Sequence, residues 1–143
     1  MTDPLKHALS LLPHGPEFRF LDALQRLEPG KSGTATYRVR GDEPFLRGHM
    51  PGEPMFPGVL LIEAAAQLSG VVAQSDPTRA PLGGLKLTAV RSAKILGTAK
   101  GGETIHIEAQ VTGRFENLVQ AQATISIRGK EIMNAALVLS GER

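Results

Sequence analysis

The run FLRGHMPGEPMFPGVLLIEAAAQLSG, residues 45–70, decides how the chain is read. Its first half rules out regular structure, because Pro51, Pro54 and Pro57 recur every third residue among Gly48, Gly52 and Gly58. Proline fixes φ, removes a donor and pushes the preceding residue out of the α region, so residues 48–57 are expected to form a stiff, extended loop. A helix is expected to start near Pro57, where a missing N–H costs nothing, and to run over about Gly58–Gln74. Val59, Leu60, Leu61, Ile62, Ala64, Ala65, Ala66, Leu68, Val71 and Val72 leave it no wide polar face. A helix apolar all round is a buried helix. This one is too short and too alanine-rich for a membrane span, and its alanines admit a close neighbour.

Glu63 and Gln67 sit one turn apart on the same side of that helix. A lone carboxylate there is costly to bury ionised, and is expected to be protonated or paired. His49 lies just before the proline loop. An imidazole, a carboxylate and a helix N-terminus with free N–H groups are the parts of an acid–base site with an electrophilic clamp. Each also has an ordinary explanation. A loop histidine is usually a surface group, a helical glutamate is usually solvated, and spacing alone does not bring the two together.

The segment GHMPGEPMFPGVLLIEAAAQLSG closely resembles the signature of the 3-hydroxyacyl-acyl-carrier-protein dehydratases of the FabZ/FabA type, roughly G-H-F-P-x-x-P-x-(M/F)-P-G-V-(L/M)-x-x-(E/D)-A-x-x-Q. It matches without a gap at Gly48, His49, Pro51, Pro54, Phe56, Pro57, Gly58, Val59, Leu60, Glu63, Ala64 and Gln67. LLPH at 11–14 resembles that family's N-terminal segment, but Gly15-Pro16-Glu17-Phe18 replaces the Arg and aromatic-Pro-Phe run that usually follows. Lys100-Gly101-Gly102-Glu103 keeps the glycine and acid of the family's Pro-Gly-Asp turn and loses its proline.

The resemblance implies an α+β hot-dog fold, an antiparallel sheet wrapped around one long central helix. It implies dehydration of a 3-hydroxyacyl thioester, linked to acyl carrier protein or coenzyme A, to the trans-2-enoyl thioester. It assigns His49 as base, Glu63 as acid, the Gly58 N–H as donor to the thioester oxygen and Gln67 as the residue that holds Glu63. Phe45, Met50, Phe56, Pro57 and Val59 are the expected walls of the substrate tunnel, and His14 is read as structural. No metal or redox cofactor is implied. A homodimer with joined sheets is, in which the histidine of one subunit works with the acid of the other, as are higher assemblies such as a trimer of dimers.

Composition agrees. The chain of 143 residues suits a single domain, 1–143, with a real core. Cysteine is absent, which excludes disulfides, a thiolate nucleophile and a thiolate zinc site, and fits a reducing cytoplasm. The start, MTDPLKHALSLLPHG, lacks the apolar core of a signal peptide. A net charge of +2 with no dense Lys/Arg run speaks against nucleic acid as a partner. A mildly basic surface suits an acidic partner.

Along the chain, residues 4–12 predict a short amphipathic helix closed by Pro13, and Phe18–Leu27 a strand or extended segment. Lys31–Arg40 alternates as a strand with Ala35, Tyr37 and Val39 inward. Ser75–Gly84 is a loop. Leu85–Leu96 is a strand with Leu85, Leu87, Ala89, Ala93 and Ile95 on one face, and Gly97–Gly102 is a turn. Thr104–Thr112, Val119–Ile127 and Glu131–Ser140 follow as a meander, joined by a connection at Gly113–Leu118 and a tight turn at Gly129. Two alternatives stay open beside the dehydratase. One is a hot-dog acyl thioesterase, the other a non-catalytic acyl-binding or carrier-docking module.

Overall fold

The structure, a computed structural model, describes residues 4–10, 12–46 and 55–142. In chain order they form α1 (Pro4–Leu9), β1 (Ala23–Glu28), β2 (Ser32–Arg38), β3 (Met55–Phe56), α2 (Gly58–Gln74), β4 (Gly83–Ile95), β5 (Ala99–Lys100), β6 (Thr104–Phe115), β7 (Leu118–Ile127) and β8 (Lys130–Glu142). Six strands make one antiparallel sheet in the order β1-β2-β6-β7-β8-β4. The 17-residue α2 has the bounds expected from the sequence. It packs against the inner sheet face, as the hot-dog resemblance implies.

The core follows from two periodicities. Along the strands every second residue points inward: Ala35, Tyr37 and Val39 from β2 and its continuation, Ile105, Ile107 and Ala109 from β6, Val119, Ala121, Ala123 and Ile125 from β7, Ala135, Leu137 and Leu139 from β8, all buried. From α2 come Leu61, Ala64, Ala65, Leu68, Val71 and Val72, also buried. Small alanines bring the helix axis close to the sheet. Irregular register in β4, between Gly83 and Lys86, Leu87 and Ala89, and Val90 and Ser92, lets that strand bend.

The expectations were adjusted by tertiary pairing at four places. Residues 18–22 precede the first strand. A 3₁₀ turn at Pro16–Phe18 leads to β1 only at Ala23. Ala99–Lys100, inside the expected turn, forms a two-residue strand because Met55–Phe56 pairs with it. The β6–β7 strands run on through Gly113–Phe115, so only Glu116 and Asn117 connect them. Strand β4 does not bury one face as its alternation suggested. It is the sheet's last strand, paired only with β8, and Val90 and Ile95 stay exposed. The first turn of α2 is also open, with Val59 at 70% exposure. The turn at Gly129 is as expected, with Arg128 and Gly129 both at positive φ, 50° and 81°.

Ala65 tests the close approach of helix and sheet. Ala65→Leu inserts methylenes into a fully buried position, and should destabilise the fold by about 1–3 kcal/mol. A urea midpoint equal to that of the exposed-site control Gln122→Glu would contradict this packing.

Candidate active site

The loop that carries His49 is fixed at both ends. Before it, one carboxylate oxygen of Glu43 accepts the backbone N–H groups of Arg40 at 2.6 Å and Gly41 at 2.8 Å. Arg40 in turn pairs with Asp22 at 2.8 Å and lies over the Tyr37 ring. After it, β3 is locked to β5. His49 and Met50 lie outside the described residues, as does most of the expected loop. Phe45 lies in a 3₁₀ turn, Pro44–Leu46, on the approach to the loop.

Beyond the loop, Pro57 caps α2, its carbonyl accepting the N–H of Leu60 at 2.9 Å. The N–H of Gly58 opens the helix and has no carbonyl of the preceding turn to meet. Gly58 sits against β4: a Cβ there would lie 2.8 Å from the Ile95 side chain. Of the other expected tunnel residues, Phe56 is buried edge-on between Phe20 and Tyr37, with ring centroids 5.2 and 5.6 Å away. Pro57 is buried too, and Val59 points outward.

Glu63, in the second turn of α2, keeps 22% of its side chain accessible. Its immediate helical neighbours offer no donor, but Gln67 one turn further on and His14 of the N-terminal segment both reach it. His14 Nε2 lies 3.2 Å from Oε1, and the Gln67 amide donates to the same oxygen at 3.4 Å. Glu63 is therefore not isolated in the helix. The histidine beside it comes from the N-terminal segment, in which the sequence alone gives His14 a structural part.

Gln67 is 3% exposed and fully engaged. Its Oε1 accepts the N–H of Phe20 at 2.9 Å, and its Nε2 donates to the Phe18 carbonyl at 2.8 Å. These two bonds are shorter than the one to Glu63. The residue thus fastens the N-terminal segment to the helix first and steadies the carboxylate second. Arg19 continues the fastening, donating from Nε to the His14 carbonyl at 2.7 Å and from its terminal nitrogen to Leu12 at 3.4 Å. The Phe18 ring lies 6.1 Å from the His14 ring.

Glu63 and His14 open onto a cavity of about 440 Å³ between α2 and β4. Glu63, Gln67, Gly70 and Gln74 run down one stripe of the helix, and Leu82, Leu85, Leu87 and Leu139 form the apolar wall opposite. Gln74 holds the loop beneath by a two-way pairing with the Leu82 backbone, at 2.6 and 2.9 Å. Lys86 is the cationic lining residue. Polar side chains along the helix stripe facing an apolar wall give a space of this size both kinds of contact a small molecule needs. Among the described residues, Gly58, Phe56, Pro57 and Val59 do not line it. Along an ideal helix Gly58 and Glu63 are separated by about 7.5 Å and roughly 140° of rotation. Within one chain, the residues expected as oxygen clamp and acid face different directions.

Sequence reasoning missed His14 and the cavity wall. The signal for His14 was the LLPH segment itself.

Comparison with known proteins agrees with this architecture. A model described as a FabA-like domain matches residues 12–136. A 3-hydroxyacyl-[acyl-carrier-protein] dehydratase FabZ of Chloroflexus aggregans is 31% identical over 95% of this chain and 94% of its own. One from Ruminiclostridium cellulolyticum is 33% identical over 87% of each. Among solved structures, the dehydratase heterocomplex ApeI:P from Xenorhabdus doucetiae superposes with a TM-score of 0.79 at 18% identity, covering 100% of this chain and 93% of that one. Zebra fish thioesterase superfamily member 2 gives 0.69 at 18% identity over 94% and 91%. These two show the shared hot-dog fold alone. With the matched model spanning most of its length, the chain belongs to the FabA-like family of FabZ-type dehydratases.

Proposed function

We propose that this protein is a hydro-lyase that converts 3-hydroxyacyl thioesters to trans-2-enoyl thioesters in fatty-acid or related acyl-chain synthesis. The observation that carries the reading is Glu63: a carboxyl group that accepts from Gln67 and stands 3.2 Å from His14 Nε2 at the head of a cavity with an apolar wall opposite, at the family's acid position. In the reaction His49 takes the α-proton, and the electrons of that C–H bond form the new double bond. The thioester oxygen, negative as the proton leaves, is met by the Gly58 N–H at the positive end of α2. Glu63 gives its proton to the β-hydroxyl, which departs as water with the C–O bonding pair. Proton exchange with solvent resets both groups.

The opposed directions of Gly58 and Glu63 support a site shared between two chains. His49 and Gly58 of one protomer would work with Glu63 of its partner. Val59, Val90, Ile95 and Leu96, all exposed, gather where α2 begins and along edge strand β4. Apolar surface of this kind and a free strand edge favour pairing with a second copy. A homodimer, alone or within a trimer of dimers, fits that surface. No helix among the described residues is long and apolar enough to cross a membrane, and a cytoplasmic setting with acyl carrier protein as substrate carrier follows the family. Lys86, Arg91, Lys94 and Lys100 are exposed cations suited to an acidic carrier. Arg114 is not available for that role. Burial and neighbouring Arg79 push its guanidinium down, and it donates to the carbonyls of Ala73 and Ala80 at the end of α2.

Two outcomes are expected. His49→Ala and Glu63→Gln should each fold and each lose roughly 100-fold or more in turnover of 3-hydroxyacyl thioesters. Mixing the two inactive proteins should restore activity, because a mixed dimer holds one intact site. Subunit exchange without recovered activity, seen by following absorbance of the conjugated product, would refute the shared site. Release of free acid and thiol instead would identify a thioesterase. The second outcome concerns docking. KM for a carrier-linked substrate should rise with added salt, since exposed charges are screened over about 10 Å at 0.1 M. A salt-independent KM would place the binding in apolar contacts or in coenzyme A thioesters.

A further inference from the structure

We propose that Gly70 is a specificity-determining residue for acyl-chain length: the space left by its missing side chain, in the cavity between α2 and β4, is the path of the acyl tail. The inference deepens the reading of Glu63 as the group that works at the β-hydroxyl, and rests on it.

Nothing else in the fold asks for glycine at this position. Glycine in a helix interior is less favourable than alanine, and α2 uses alanine at 64, 65, 66 and 73 where it must be small. Gly70 lies within the helix and is not among the glycines at positive φ, so no turn requires it. Tight packing does not require it either. A Cβ built at Gly33, Gly58, Gly97 or Gly141 would stand 3.1, 2.8, 3.0 and 2.8 Å from its nearest neighbour. At Gly70, apart from its chain neighbours and the helix's own backbone, the one described atom within 4 Å is Leu85 Cδ2, at an ordinary 3.7 Å. A methyl group fits there, and what it would occupy is cavity, because Gly70 and Leu85 both line it.

The position lies where a tail would pass. Glu63 and Gly70 are seven residues apart, about 10.5 Å along the helix axis and within roughly 20° of the same direction. A tail leaving the β-carbon beside Glu63 and running down this stripe, at ~1.2 Å per extended bond, comes level with Gly70 after roughly nine bonds. Short tails stop before it. The lining on the way suits hydrocarbon. The Gln67 amide is already bonded to the backbone of Phe18 and Phe20, and that of Gln74 to Leu82. Lys86 is exposed, so its ammonium can stay in water while its stem lines the wall.

The test is the profile of kcat/KM against tail length in the full chain, with 3-hydroxybutyryl, 3-hydroxyoctanoyl, 3-hydroxymyristoyl and 3-hydroxypalmitoyl thioesters of acyl carrier protein. Wild type defines the longest tail turned over well. In Gly70→Ala the ratio of kcat/KM for that tail to kcat/KM for the 3-hydroxybutyryl substrate should fall roughly 10- to 200-fold, the discrimination carried by one methylene in an apolar pocket. Gly70→Leu should lower the ratio further and move the optimum to shorter tails. The thermal midpoint of Gly70→Ala should be at or above that of wild type, since alanine is the better helix former. An unchanged length profile overturns the proposal. So does an equal loss at every length, which would make Gly70 a support for the fold or for the thioester end. A clearly lower midpoint in Gly70→Ala also overturns it, because packing would then need the glycine. Should the Leu variant fail to fold, Gly70→Ala decides alone by the same criteria. Wild type inactive on every tail is a different result, which removes the dehydratase reading beneath the proposal.

Discussion

Helix α2 has more apolar surface than one sheet can cover, and the rest of the molecule is arranged around that excess. Its sheet-facing side is satisfied by the inward residues of β2, β6, β7 and β8, close-packed because alanines stand where larger side chains would hold the layers apart. Its other side receives the N-terminal segment and, toward the helix end, the cavity. Its first turn and the neighbouring edge strand β4 remain uncovered, with Val59, Val90 and Ile95 open. The same helix therefore sets the core, the walls of the site and the surface that favours a second copy.

Polar groups enter such a helix only with partners, and each here performs a structural task before any chemical one. Gln67 closes two backbone bonds of the segment at Phe18–Phe20. Gln74 closes two on Leu82. Ser69 returns its hydroxyl to the Ala65 carbonyl within the helix. Leaving any of these buried groups unmet would cost about 1–3 kcal/mol. Glu63 differs. One oxygen accepts from Gln67 and lies 3.2 Å from His14 Nε2, and the other has neither neighbour. Unlike Gln67, the side chain also stays partly accessible at a cavity wall, and that is the condition for a carboxyl group to exchange protons with a ligand.

Much of this was legible in the sequence because it is local. Proline spacing and a helix with no wide polar face place α2 at Gly58–Gln74, and alternation identifies the meander of β6, β7 and β8. The failures share a cause: they depended on which distant segment lies alongside. Alternation in β4 read as burial, but the strand ended at an edge, where no layer covers its second half. Ala99–Lys100 has the composition of a turn and became a strand only because Met55–Phe56 runs beside it. Phe56, expected at the tunnel, fills an aromatic cluster with Phe20 and Tyr37 that no local pattern announces. His14 is the instructive case. The LLPH run marks its segment, but only the distant residue it meets, Glu63, sets it apart from a structural histidine.

The division of labour proposed for α2 has a geometric logic. Its N-terminus is where backbone N–H groups are free and the dipole is positive, so a developing negative oxygen is best met there. A proton donor placed at the same point would be pulled toward ionisation by that field and would lose the proton it must deliver. Setting the carboxyl group more than a turn further, and on another side of the helix, separates the two demands. It also means that one chain cannot easily present both to the same substrate. If both act on one thioester, the distance must be closed by a second chain, and the apolar surface left uncovered beside Gly58 is where that chain would have most to gain by binding.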